Sequence, residues 1–274
     1  MGCRWGAMLR TVTVEAQVVA RTLDTMPPER TELEWVYQPR DLFEGAYRYV
    51  GVDCEIVIDD GRAVAALSVS QDPVDRELEE RILRHLEAVF LVRQLQVHRV
   101  YDLQGPRIYQ HAGGRKDIAI RVGAACVVMS GSRTDVVHRD AAGNVLRDTK
   151  AERIVEHTAI LDSVAPKLAL SSTLRGLLTS YSRSVSDPSN ELVHLYEIRD
   201  ALATHYGGET NACAVLSINP SEWRRLGVLA NVEPIEQGRH RGEHVAGRRD
   251  ATAAELEKGR SIARRWIVAF ASIT

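Results

Sequence analysis

The residues best equipped for chemistry lie late in the chain, in "EPIEQGRHRGEHVAG", residues 233 to 247. Arg239, His240 and Arg241 are consecutive, and His244 follows His240 by four positions. Arginine offers a forked donor set that fits phosphate oxygens, and histidine exchanges a proton near neutral pH. Together they can hold a phosphate and move a proton beside it. Gly238, Gly242 and Gly247 let the backbone approach such a ligand closely. Arg241, Arg248 and Arg249 are further candidate phosphate binders, and only Glu243 opposes them before Asp250. A solvated basic loop, docked on acidic residues of a neighbouring helix, is the plainer reading of the same run.

A second constellation is "LYEIRDALATHYGG". On a helix, Leu195, Tyr196, Leu202 and Ala203 lie three or four positions from Arg199, which places that arginine on or beside the apolar face. A guanidinium there must be paired or must line a cleft, because an unpaired buried charge is costly. His205 falls where the helix ends, a position that favours a cationic ring. Arg199 and His205 are therefore second-tier candidates.

Other searches return ordinary structure. "HAGGRKD" lacks the spacing of a phosphate loop and reads as a turn. Asp140, Asn144 and Asp148 lack EF-hand spacing and read as a hairpin turn. Glu77, Glu79 and Glu80 read as the solvated face of a helix. Neither a nucleophile elbow nor an HExxH pair occurs. The cysteines, Cys3, Cys54, Cys126 and Cys213, are scattered without a CxxC pair. No metal and no cofactor is implied.

The elements that must position these residues divide the chain in two. Strand signals dominate residues 1–148. "TVTVEAQVV" alternates, Asp60-Gly61 joins two apolar runs as a hairpin, "DIAIRVGAACVVMSG" reads as buried strand, and "TDVVHRDAAGNVLRDT" reads as another hairpin. One helix is predicted among them, roughly Asp75 to Gln94. From Thr149 helical periodicity takes over, with Asn219 as an N-cap before Pro220 and Asp250 available to cap the last helix. The predicted fold is α+β: a β-rich domain over 1–148 with one packed helix, then an all-α helical bundle over 149–274. An open sheet fits the hairpins, with barrel and sandwich left open.

A hydrophobic content of 45% and a charged content of 26% are those of a globular protein. A net charge of −2 argues against indiscriminate nucleic-acid binding but leaves room for a local basic patch. No run of about 18 apolar residues occurs, so no membrane span is expected. "MGCRWGAMLR" lacks the apolar region of a secretory signal, and Gly6 stands where a myristoylation motif carries Ser or Thr. The expectation is a cytoplasmic protein with reduced thiols.

The helical half resembles the HEPN superfamily of small helical bundles, whose signature is an arginine, often followed by a polar residue, with a histidine after four to six intervening positions. "RHRGEH" fits that form with Arg239, His240 and His244, and "RDALATH" with Arg199, Asp200 and His205. The stretch from "NELVHLYEIRDAL" through "QGRHRG" is also similar to C-terminal segments of uncharacterised bacterial proteins. The resemblance implies metal-independent RNA cleavage, often in toxin or anti-phage systems, with His244 as general acid/base, Arg239 on the phosphate and His240 assisting. It implies a homodimer, since such sites are commonly completed across one. Its alternative is a non-catalytic RNA-binding or protein-interaction module of a larger assembly. Residues 1–148 would then sense or dock a partner. No aromatic platform for bases is expected around either motif, with Trp223, Trp266 and Tyr206 as the aromatics nearby in sequence.

Overall fold

Asp60 and Gly61 turn as their residue types demand. Both take positive φ, 40° and 81°, which matches the twist of the strands they join. Those strands are β3 (Cys54–Asp59) and β4 (Arg62–Leu67). β2 (Tyr47–Val50) pairs with β3, and β1 (Glu32–Gln38) runs between β4 and β5 (Asp102–Gln110), with β6 (Lys116–Ile118) outside β5. The result is an antiparallel open sheet of order β2-β3-β4-β1-β5-β6. A computed structural model describes residues 30–68, 74–110, 116–118, 135–140, 142–239 and 247–274. The strand expected at "TVTVEAQVV", the turn at "HAGGR" and most of "DIAIRVGAACVVMSG" lie outside the described residues.

One face of the sheet is buried, because side chains alternate along each strand. Leu33, Trp35 and Tyr37 of β1, Cys54, Ile56 and Ile58 of β3, and Ala63, Ala65 and Leu67 of β4 all turn inward. The helix α1 (Arg76–Val97), capped by Asp75, packs there with Leu78, Ile82, Leu86, Val89 and Phe90 buried. Phe90 meets Tyr37 and Phe43 edge to face, with centroids 5.1 and 5.2 Å apart.

A separate hairpin of β7 (Val137–Arg139) and β8 (Val145–Asp148) follows. Its turn is held by Asp140, whose carboxylate accepts from the N–H groups of Ala142 and Asn144. Asp148 then accepts from the N–H of Lys150 and Ala151, which ends the strand and starts α2 (Thr149–Val164). The helices α3 (Ser172–Ser186), α4 (Glu191–Tyr206), α5 (Glu209–Val215), α6 (Pro220–Asn231) and α7 (Ala253–Ile273) complete the described fold. The chain is α+β, as its pattern predicts.

Two details differ from expectation. The short α5 follows the Gly207-Gly208 stop directly, where no helix was anticipated. The cap of α7 is Thr252 rather than Asp250. Thr252 and Glu255 satisfy each other's backbone donors as a capping box, while Asp250 accepts from the Gln237 amide at 3.1 Å.

α1 belongs by contact to both halves, since α2 and α3 pack against it, and the buried residues form one continuous core. Polar bonds lock the junction. The buried Arg93 donates to Leu42 O at 2.6 Å, and Gln96 donates to His157 O at 2.8 Å. Beyond the end of α1, His98 has Nδ1 3.2 Å from the Tyr181 hydroxyl and Nε2 3.8 Å from Glu191. Glu191 is 1% exposed and takes a fork from Arg260 at 2.6 and 2.8 Å. With Glu191 so engaged, its charge does little for the ring. Burial, then the charges of Arg260 and Arg264, push His98 down to about 3.

His98 is thus neutral in the fold, whereas an unfolded histidine takes its proton near pH ~6.5. Between those values the unfolded state binds the extra proton, so acid destabilises the fold by up to about 1.4 kcal/mol per pH unit through this group alone. His98→Asn is expected to flatten the dependence of the urea midpoint on pH over that window. An unchanged slope would show that His98 does not carry it.

Candidate anion-binding site

α4 carries Tyr196, Arg199 and Asp200 at i, i+3 and i+4, one face of the helix. The Arg199 guanidinium donates to the Tyr196 hydroxyl at 2.8 Å and to Glu209 of α5 at 3.0 Å. It also lies 5.0 Å from the Trp223 ring of α6. Its side chain is 18% exposed, and its Nε is buried with no partner among the described residues. The expectation that this arginine is paired holds.

Arg239 arrives at the same place from a distant part of the chain. Its N–H donates to Ala230 O at 2.7 Å, which fastens it to the end of α6. Gly238 makes this approach possible, since a Cβ there would sit 2.9 Å from Ala230 O. The Arg239 guanidinium lies 4.4 Å from the Tyr196 ring centroid and donates to Asp200 at 3.1 Å. Arg199 lies 5.1 Å from the same ring. Two arginines from the two separate motif matches therefore converge on one tyrosine.

The segment around Arg239 is tied at its base. Glu236 N–H donates to Arg249 O and Arg249 N–H to Pro234 O, both at 3.0 Å, forming a parallel bridge beside buried Ile235. The Gln237 side chain accepts from Ala251 N–H at 2.9 Å. His240, Arg241 and His244 lie outside the described residues. Their segment is joined at one end to Arg239 and at the other to the Arg248–Arg249 anchor.

The remaining candidates have other partners. Arg249 forks onto Glu255 at 2.7 and 2.8 Å; that contact first, then the Thr252 N–H, lowers Glu255 to about 2. Arg248 has Nε 3.4 Å from Glu236. His205 turns away from Arg199, as six positions on a helix leave it about 120° round the axis. It meets Thr173 Oγ1 at 3.3 Å and the Phe270 ring at 5.1 Å, on α3 and α7. The described residues do not unite Arg199 with His205.

The place of the Tyr196 and Trp223 rings against the guanidinium groups is the feature that motif reading missed. Aromatic rings do sit at the site, but against guanidinium groups rather than open to bases. The signal was present for Tyr196, three positions before Arg199 on a helix. Chemically, the cluster is a pair of oriented cations, each held by an acid that is about half exposed: Asp200 at 49% and Glu209 at 51%. Exposed pairs contribute only ~0.2–1 kcal/mol each, so a phosphate can compete for these guanidinium forks. No protein-family model matches the chain, and no curated protein or solved structure matches it.

Proposed function

We propose that the helical half recognises RNA by its backbone, holding a phosphate between Arg239 and Arg199, and cleaves it without metal in the HEPN-like manner. The convergence of the two arginines on Tyr196 carries the reading. A tyrosine beneath them restricts their motion, and a guanidinium fork fits two phosphate oxygens. His244 acts as general acid/base with His240 assisting, since the segment bearing them leaves directly from Arg239. The protein is a homodimer in this reading, and residues 1–148 recognise what triggers it. A non-catalytic module is the second reading, favoured by the acid partner that each arginine already holds.

Labelled single-stranded RNA in EDTA separates the two. Wild type is expected to bind and cut it, and Arg239→Ala to bind about tenfold more weakly, the loss of about one charged hydrogen-bond contact. Binding without cutting leaves the non-catalytic module. RNA neither bound nor cut removes RNA recognition and leaves the protein-interaction form of the module.

A further inference from the structure

Trp266, which stacks on the Trp223 ring that Arg199 lies against, also lines a cavity of about 610 Å³ that no part of the proposed function uses. Its volume falls in the range of small-molecule sites. The end of α1, α2, the α5–α6 connection, the first turn of α6 and α7 line it, and Leu95, Ile160, Leu216, Ile218, Trp266 and Val268 give it an apolar wall. Four charged side chains, Glu156, Glu222, Arg264 and Arg265, also line it. Arg265 is already matched, donating to Glu222 at 2.7 Å and to Ser261 at 2.6 Å. Glu156 is exposed, so water screens it.

Arg264 is different. Its guanidinium reaches the Tyr181 hydroxyl only at 3.5 Å and Glu257 only at 3.9 Å, and its Nε has no partner among the described residues. A cation two-thirds withdrawn from water and so loosely held gains from an acid brought against it. We propose that this cavity binds an apolar small molecule with a single acidic head group, the tail along the apolar wall and the head on Arg264. An uncharged ligand leaves Arg264 as it is, and a cationic one meets the wrong sign. The proposal stands apart from the RNA reading, because none of its residues is assigned to that site.

Trp266 in the wall makes tryptophan fluorescence the readout, with decanoate and the uncharged decanamide as probes. Decanoate is expected to saturate and to bind about tenfold more tightly than decanamide, the margin of one charge-assisted contact. Arg264→Met should bring decanoate to the level of decanamide. Ala269→Trp, which fills the cavity from α7, should weaken both at least tenfold, with circular dichroism showing each variant folded. Absence of saturable decanoate binding, equal affinity of the two probes for wild type, or undiminished binding by Ala269→Trp overturns the proposal. The wild-type comparison decides alone if a variant fails to fold.

Discussion

Arg260→Met is expected to lower the stability of the chain by about 3 kcal/mol, read as a fall in the urea midpoint at neutral pH. The reason is Glu191, 1% exposed, whose two oxygens are both held by the Arg260 fork. Removing one partner of a buried pair costs about 3–5 kcal/mol, because the other charge stays in place without compensation. Arg260 keeps 23% of its side chain exposed, which puts the loss at the lower end. His98 lies 3.8 Å from Glu191, but burial, the first cause of its neutrality, still opposes a charge on its ring when Arg260 is gone. The pair also joins the first turn of α4 to α7, so its loss loosens the packing beneath the arginine site. The double variant Arg260→Met with Glu191→Met should recover most of the loss, because it removes both charges together. A single variant within about 0.5 kcal/mol of wild type would mean that the pair acts as a surface contact.

The second large effect concerns chemistry. In the cleavage proposed for this site, the ribose 2′ oxygen attacks the neighbouring phosphorus as its proton passes to a base. The bond to the 5′ oxygen then breaks, and that oxygen takes a proton. General acid/base catalysis by a positioned histidine contributes typically ~10²–10⁴-fold. His244→Ala is therefore expected to slow cleavage in EDTA by at least about a hundredfold while leaving RNA affinity within about twofold. Arg239→Ala should change both quantities, because it holds the phosphate in the ground state and as charge develops. Equal cleavage rates in wild type and His244→Ala would take His244 out of the mechanism.

The fold was legible where its causes are local. Asp60-Gly61, the Asp140 turn, the Asn219-Pro220 start of α6 and the apolar rows of α1 all act within a few residues, and each appears as the pattern predicts. β1 is also local in its alternation, since Leu33, Trp35 and Tyr37 stand at every second position of "ELEWVYQ". Its place between β4 and β5 was not readable, since it depends on pairing with strands far along the chain. The α7 cap went to Thr252 because two candidates lay close together and only one had Glu255 at the reciprocal spacing. At the site, the need of Arg199 for a partner followed from its apolar neighbours, but Glu209 and Trp223 arrive on other helices. The meeting of Arg239 with Tyr196 depends on a main-chain bond to Ala230, which no spacing rule announces.

The central claim is that Arg199 and Arg239 act as one phosphate grip. A double-mutant cycle on the affinity for single-stranded RNA tests it most directly, with His244→Ala as the background so that the strand stays intact. Each arginine replaced by alanine should cost about tenfold. The double variant should cost less than the product of the two, with a coupling of at least about 0.5 kcal/mol. Loss of one phosphate contact should also reduce the slope of log affinity against log salt by about 0.7. RNA affinity that is the same for the background and the double variant would contradict the account.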